Sequence, residues 1–433
     1  MKFKITTLGC KVNIYESEAV SFDLIKRGYT LVDKKPDLQI INTCTVTQTS
    51  DAKSRKTIRS LIRENPKAIT VVMGCYSQLD SEEVAKIPGV DIVVGTAKRT
   101  NIAELVEQYQ INKRLINMVG DAKQYQTYEE LKLLKLSKHT RGFIKVQDGC
   151  ENFCTYCAIP YSRGPIKSRD PESVVAEIKV LVEQGVKEVV LTGINTGTYG
   201  QDLGYLTLAQ LIDKIINEVP ELYRIRLSSI ELMEITDELL ETLKRHGKKI
   251  AQHFHIPLQA GSDSVLKRMN RKYVMEDYFK TIQKIRYLFP NASITTDCLA
   301  GFVGETADEF QTTYDNIKKI CFMECHIFPY SKRPGTKAYD MRGHLDPSLI
   351  KKRANALQAL AKELKNEYYE NKIGEIVEVL FEQKKDKYWI GHTTDYLDVI
   401  VDAKEDLENQ IKRVRLLKNI ALGLYGEVLD HEI

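Results

Sequence analysis

Three patterns of apolar and polar positions succeed one another along the chain. Up to residue 137, short apolar runs alternate with helical stretches. "KFKITTLG", "LQIINT" and "AITVVMG" read as buried strands, and "ESEAVSFDLIKRGY" reads as a helix ending near Gly28. This is an α/β alternation with parallel strands. Residues 138–365 repeat the rhythm through "GFIKVQDG", "EVVLTGIN", "RIRLSSI", "HFHIPLQ", "SITTDCLAGF" and "MECHIFPYS". Helical patterns such as "PESVVAEIKVLVEQG" and "LAQLIDKIINEVP" lie between them. Six such units predict a full or partial parallel (β/α) barrel with its functional residues after the strands. From about residue 371 the period becomes two, in "EIVEVLFEQ", "KYWIGHT", "LDVIVDAK", "NQIKRVRLLK" and "ALGLYGEVL", which predicts a small antiparallel β-barrel. The expected units are 1–125, 138–365 and 371–433. "YQTYEELKLLKLSKHT" is a polar linker before the second, and "DPSLIKKRANALQALAKELKNEYYENKI" is a helix leading into the third.

Composition narrows the class. The 433 residues are 43% hydrophobic and 28% charged, as in an ordinary globular protein. No apolar run reaches the roughly 20 residues that span a bilayer, and "MKFKITTLGCKVN" lacks the pattern of a signal peptide. The expected location is the cytoplasm, without membrane association. In that reducing setting nine cysteines point to metal or redox chemistry rather than a disulfide framework. A net charge of +4 permits local nucleic-acid patches without requiring them.

Six cysteines carry the candidate chemistry. Cys150, Cys154 and Cys157 follow C-x₃-C-x₂-C spacing directly after "GFIKVQDG". Three thiolates on one loop can hold three corners of a cubane iron–sulfur cluster and leave the fourth iron open. A structural zinc site needs a fourth Cys or His at comparable spacing, and none lies nearby. Cys10, Cys44 and Cys75 each follow a strand-like run. At the carboxyl edge of a parallel sheet, where ligands gather, they could converge.

The cluster loop "DGCENFCTYCAIP", with Tyr156 before its last cysteine, resembles the motif of the radical S-adenosylmethionine superfamily. "LGCKVNIYESE", "INTCTVT" and "VMGCYSQ" resemble the three cysteine motifs of the methylthiotransferases within it. "LTGINTGTYG", "RLSSIE", "HIPLQAGSDSVLKRMNR", "TTDCLAGFVGET" and "FPYSKRPGTKA" extend the likeness, and the last region resembles the RNA-binding TRAM domain. The resemblance implies two 4Fe-4S clusters, one on each cysteine trio, and S-adenosylmethionine chelated by the open iron of the second. It also implies that one S-adenosylmethionine methylates sulfur at the first cluster while another yields the radical that takes hydrogen from C2 of an adenine. The implied partners are a tRNA, an electron donor such as flavodoxin or ferredoxin, and a sulfur source, with the chain a monomer.

Further residues follow from the same blocks. Gly193 and Gly197 would let backbone approach the cofactor. Ser229, Glu231, Gln259 and Asp297 are the expected S-adenosylmethionine contacts, beside Tyr156. His253 and His255 should share one face of a strand as satisfied interior histidines. Cys298, Cys321 and Cys325 are expected to be buried thiols. For RNA, Arg163, Lys167 and Arg169, with Lys412, Arg413 and Arg415, could neutralise phosphates, and Tyr388, Trp389 and Tyr396 could stack on bases.

Within the family, "GCKVNIYESE" is similar to the branch acting on N6-threonylcarbamoyladenosine of tRNA. The alternatives are the isopentenyladenosine branch and the branch modifying an aspartate of ribosomal protein S12. "GFVGET" for the commoner "GFPGET", and Cys298 for an aliphatic residue, depart from the family pattern without touching a cluster cysteine. A non-catalytic iron–sulfur RNA-binding protein would need a fourth ligand near Cys150–Cys157. A radical enzyme that only methylates would not need the first trio.

Overall fold

The computed structural model describes residues 1–45, 47–132 and 140–429. The second half of the expected linker, 133–139, lies outside them.

The first unit is a six-stranded parallel sheet. Its strands are β1 (Lys2–Thr7), β2 (Thr30–Leu31), β3 (Leu38–Thr43), β4 (Ile69–Gly74), β5 (Ile92–Val93) and β6 (Ile116–Asn117), in the order β2-β1-β3-β4-β5-β6. Every residue of β3 and β4 is buried, because helices cover both faces. Ile40, Val71 and Ile92 pack with Val20, Leu24 and Val106 on one side. Their neighbours Ile41, Val72 and Val93 pack with Ile58, Tyr76 and Val84 on the other. The first helix begins at Lys11, five residues before the periodic pattern, and ends at Lys26. It buries Asn13, Glu16, Ser17 and Glu18 along with its apolar residues, so no clean amphipathic stripe marks its first turns.

The second unit is a partial barrel, which decides between the full and partial forms that the pattern left open. "GFIKVQDG" splits into β7 (Gly142–Lys145), a barrel strand, and β8 (Gln147–Asp148), which pairs antiparallel with β9 (Lys167–Ser168). With β10 (Glu188–Thr192), β11 (Arg224–Leu227), β12 (His253–His255), β13 (Ser293–Ala300) and β14 (Glu324–Pro329), β7 forms two three-stranded parallel sheets, β7-β10-β11 and β12-β13-β14. A single bridge, Ile225 to Ile250, joins them, and no ladder closes β14 onto β7 among the described residues. Ile144, Val189, Leu191, Ile225 and Ile294 face the surrounding helices. Their neighbours Phe143 and Val190 point inward and meet Tyr15 and Ala19, so the helix Lys11–Lys26 of the first unit packs across the inner face of the barrel wall.

The helix Pro347–Glu370 leads into a closed barrel of β15 (Ile376–Lys385), β16 (Tyr388–Thr393), β17 (Asp398–Asp402), β18 (Ile411–Ile420) and β19 (Gly423–Val428). Five strands cannot alternate in direction all the way round, and β17 with β19 is the one parallel pair. Trp389 lies in this barrel's core and donates Nε1–H to the Glu405 carbonyl at 2.9 Å, so it is not the exposed stacking residue the sequence suggested. Tyr396 is likewise committed. The turn after β16 enters the bottom of the partial barrel, where Arg226 donates to the carbonyls of Thr393 (3.0 Å) and Thr394 (3.1 Å). The Tyr396 ring stacks between His253 (4.8 Å) and His392 (4.9 Å).

His392 makes this third unit sensitive to alkali. Its Nδ1 lies 2.5 Å from Glu382 and its Nε2 3.1 Å from Asp398. Burial alone would lower the imidazole pKa, but the two carboxylates outweigh burial and raise it to about 9. A raised pKa stabilises the fold fully below the unfolded value near 6.5, and that contribution is lost as pH rises toward about 9. Thermal unfolding should show a loss of roughly 2–3 kcal/mol over that window in the natural chain. His392→Gln should flatten it, and an equal slope in the variant would refute the assignment.

Candidate active site

Cys10, Cys44 and Cys75 follow β1, β3 and β4, three neighbouring strands whose ends are in register, Thr7 with Asn42 and Thr43 with Gly74. The turns are tight. Gly74 sits at φ +103°, and a side chain there would come within 2.4 Å of Asn42 Oδ1 and 2.6 Å of the Thr43 carbonyl. Asn13 binds the first two loops together, donating to the carbonyls of Leu8 (2.8 Å) and Thr43 (3.1 Å). The sheet edge therefore gathers cysteines that are far apart in sequence.

The second trio is held by its own loop. The Cys150 amide donates to the Gly164 carbonyl (3.1 Å), the Cys157 amide to that of Cys154 (2.9 Å), and the Ile159 amide to Cys157 Sγ (3.4 Å). Gly149, at φ +78°, has no room for a side chain, since a Cβ would lie 1.8 Å from the Pro165 carbonyl. Burial pushes the Cys150 thiol up to about 12, and the Cys157 thiol rises for the same reason. Thiolates at such positions need adjacent positive charge, which bound iron supplies. Arg271 donates to Cys154 Sγ at 3.3 Å and is clamped by Glu231.

A buried ionic cluster joins the two trios. Arg163, on the turn after Cys157, is almost fully enclosed; it donates to Cys75 Sγ (3.2 Å) and Asn13 Oδ1 (3.1 Å) and pairs with Glu16. Lys145 bridges Glu16 (2.8 Å) and Asp148 (2.6 Å), and Arg99 pairs with Glu16 and Glu129. Burial would raise the Glu16 pKa, but Arg163, Arg99 and Lys145 together hold it well below the usual carboxylate range. Arg169 is also enclosed, by Glu177 (2.8 Å), Glu130 (3.2 Å) and the Tyr15 hydroxyl (3.1 Å). Lys167 is buried and donates to the Arg163 carbonyl at 2.6 Å. The expectation that Arg163, Lys167 and Arg169 meet RNA phosphate is thereby corrected: all three sit inside the protein. Arg413 and Arg415 are exposed on β18.

The remaining expected residues sort by environment. Glu231 reaches Arg271 and through it Cys154; Ser229 is exposed just after β11. Gly193 is required by Gln147, whose Oε1 would lie 2.9 Å from an added Cβ and accepts from the amides of Ile194 and Asn195. Tyr156 meets Phe302 edge-on at 6.3 Å. Gln259, at φ +63°, ties its loop to β13 through the Asp297 carbonyl (2.9 Å), and the Asp297 carboxylate faces His255 at 3.4 Å. His253 (2.8 Å) and His255 (2.9 Å) share the Thr295 hydroxyl, as interior histidines. Cys298 and Cys325 are buried, whereas Cys321 is exposed at a helix end with φ +55°, contrary to expectation. Pattern reading missed Glu16, Arg99, Lys145, Asp148 and Arg271. Charged residues inside otherwise buried elements were the available signal.

The donor sets suit clusters. Among the described residues, His255, Asp297 and His326 are the one group of three ligating atoms all within 4.8 Å of one another. Three thiols per site, none of them in a disulfide, fit a polynuclear iron–sulfur group with one iron free of protein.

A partial parallel barrel with such a loop after its first strand defines a radical S-adenosylmethionine protein. The Radical SAM superfamily model matches residues 144–317, and that of Uncharacterized protein family UPF0004 matches residues 2–95. The chain is 44% identical to the threonylcarbamoyladenosine tRNA methylthiotransferase MtaB of Bacillus subtilis, over 95% of this chain and 93% of that one. It is 37% identical to the protein of the same name from Aquifex aeolicus, over 96% and 100%. With the tRNA-2-methylthio-N(6)-dimethylallyladenosine synthase of Dictyoglomus thermophilum it shares 34%, over 99% and 98%. In fold it resembles the radical S-adenosylmethionine methyltransferase TsrM of Kitasatospora setae, with TM-score 0.57, 14% identity and 76% of each chain covered. The chain belongs to the radical S-adenosylmethionine methylthiotransferase family.

Proposed function

We propose that this protein converts N6-threonylcarbamoyladenosine at position 37 of tRNA, on the 3′ side of the anticodon, to its 2-methylthio derivative. The observation that carries the reading is the pair of three-cysteine sites, tied together by Arg163. The branch rests on similarity to the named Bacillus and Aquifex proteins.

Cys150, Cys154 and Cys157 hold one 4Fe-4S cluster, and Cys10, Cys44 and Cys75 hold the other. When bound, these groups and S-adenosylmethionine supply an electron, a carbon radical able to take hydrogen from an unactivated carbon, and a site for sulfur. The chain's own residues position and tune. Arg271 and Arg163 each donate a hydrogen bond to a cysteine sulfur, which withdraws charge from it. Glu231 keeps Arg271 aimed at Cys154. Tyr156, Gly193, Ser229, Glu231, Gln259 and Asp297 form the S-adenosylmethionine side of the mouth. Arg413 and Arg415 offer phosphate contacts on the exposed face of the third barrel. The units are 1–125, 138–365 and 371–433.

Mass spectrometry of tRNA nucleosides from a strain lacking this gene tests the reading. The 2-methylthio derivative of threonylcarbamoyladenosine should disappear. Loss of the isopentenyl derivative instead would overturn the branch.

A further inference from the structure

A cavity of about 750 Å³ lies between the segments that follow Cys44, Cys75 and Cys157. Asp51 and Arg55 come from the helix after Cys44, and Asp80 follows the short helix that Cys75 begins. Tyr161 stands on the turn after Cys157, and Arg333 follows β14. The cavity is thus lined by segments that follow cysteines of both trios, and its volume suits a substituted nucleobase.

Its charges are not equivalent. Arg333 is buried and used: it donates to the carbonyl and hydroxyl of Thr45 and pairs with Asp51 at 3.3 Å. Asp51 also accepts from the Thr45 hydroxyl at 2.8 Å, so this pair is closed. Arg55 is half-buried, donates one hydrogen bond to the Tyr76 hydroxyl at 3.1 Å, and lies over that ring at 5.7 Å. Among the described residues no carboxylate lies within ion-pairing distance of Arg55, although a guanidinium carries five N–H donors in a fork that matches a carboxylate. Across the cavity the half-buried Asp80 carboxylate accepts no side-chain hydrogen bond among the described residues.

The adenosine substituents named for the relatives differ in this respect. A threonylcarbamoyl group has an N–H donor, a hydroxyl and a free carboxylate. A dimethylallyl group is hydrocarbon, and would desolvate Arg55 and Asp80 without offering either a new hydrogen-bond partner. We propose that Arg55 is the specificity residue of this site, pairing with the carboxylate of the threonylcarbamoyl group. Asp80 accepts from its carbamoyl N–H. This inference rests on the function proposed above.

The test uses the full-length, anaerobically reconstituted protein and three anticodon stem-loop RNAs. One carries threonylcarbamoyladenosine, one its methyl ester and one isopentenyladenosine, and binding is followed by fluorescence anisotropy. The natural protein should bind the acid roughly tenfold or more tightly than the ester, the scale of a charge-assisted hydrogen bond. Arg55→Gln should remove that difference, and Arg55→Lys should keep part of it. Equal binding of acid and ester by the natural protein overturns the inference, independently of any variant's folding. So does undiminished discrimination by Arg55→Gln. Preference of the natural protein for the isopentenyl RNA sinks the proposed function itself. Preference for the threonylcarbamoyl RNA with no dependence on Arg55 sinks the inference alone.

Discussion

Replacing Cys154 by Ala is expected to abolish reductive cleavage of S-adenosylmethionine and to halve the iron of the reconstituted protein. Two cubane clusters give about eight irons and eight sulfides per chain, and loss of one site leaves about four of each. Cys154 is buried, receives a hydrogen bond from Arg271, and sits on a loop whose amides are committed to Gly164, Cys154 and Met269 carbonyls. Cys75→Ala should lower iron to the same extent and leave 5′-deoxyadenosine formation in place, because the two trios lie in separate units. Persistent 5′-deoxyadenosine in Cys154→Ala would refute the cluster assignment.

The second large effect is expected from Glu16. Its carboxylate is fully buried and is shared by Arg163, Lys145 and Arg99. Glu16→Ala leaves three buried cations facing only Asp148 and Glu129, and breaking a buried ion cluster in this way costs on the order of 3–5 kcal/mol. Urea unfolding of the cluster-free protein should show the loss directly. Removing charges of both signs is less damaging than removing one, so Glu16→Leu with Arg163→Met should be more stable than Glu16→Leu alone. Additive destabilisation in that pair would show that the cluster is not energetically coupled. The same substitution removes the clamp on the guanidinium beside Cys75, so iron retention at the first trio should fall as well.

Much of this was legible in the chain. Continuous apolar runs such as "LQIINT" and "ITVVMG" occur where a parallel sheet is covered on both faces, and both became fully buried strands. Period-two alternation from residue 376 onward became the third barrel, since a strand with one wet face must alternate. The C-x₃-C-x₂-C loop was legible because its ligands are local. The first trio was legible only as three strand ends, and the sheet order β1-β3-β4 was needed to make them neighbours.

Basic residues were where reading failed, because a sequence gives charge without its partner. Arg163 and Arg169 look identical to Arg413 and Arg415 along the chain, yet the first two are enclosed by carboxylates from distant elements and the last two are exposed. Trp389 and Tyr396 likewise have the composition of a stacking surface, and tertiary contacts place one in a core and the other at the bottom of a neighbouring unit. By itself the sequence determined the kinds of element, the local cysteine loop and the chemistry it can support, since these depend on neighbours within a few residues. Only the tertiary structure decided that the barrel is partial, that Glu16 and Arg163 join the two cysteine sites, and that Arg55 lines a cavity without a carboxylate at ion-pairing distance among the described residues. Those depend on pairings across tens to hundreds of residues, which burial and geometry select and local pattern does not encode.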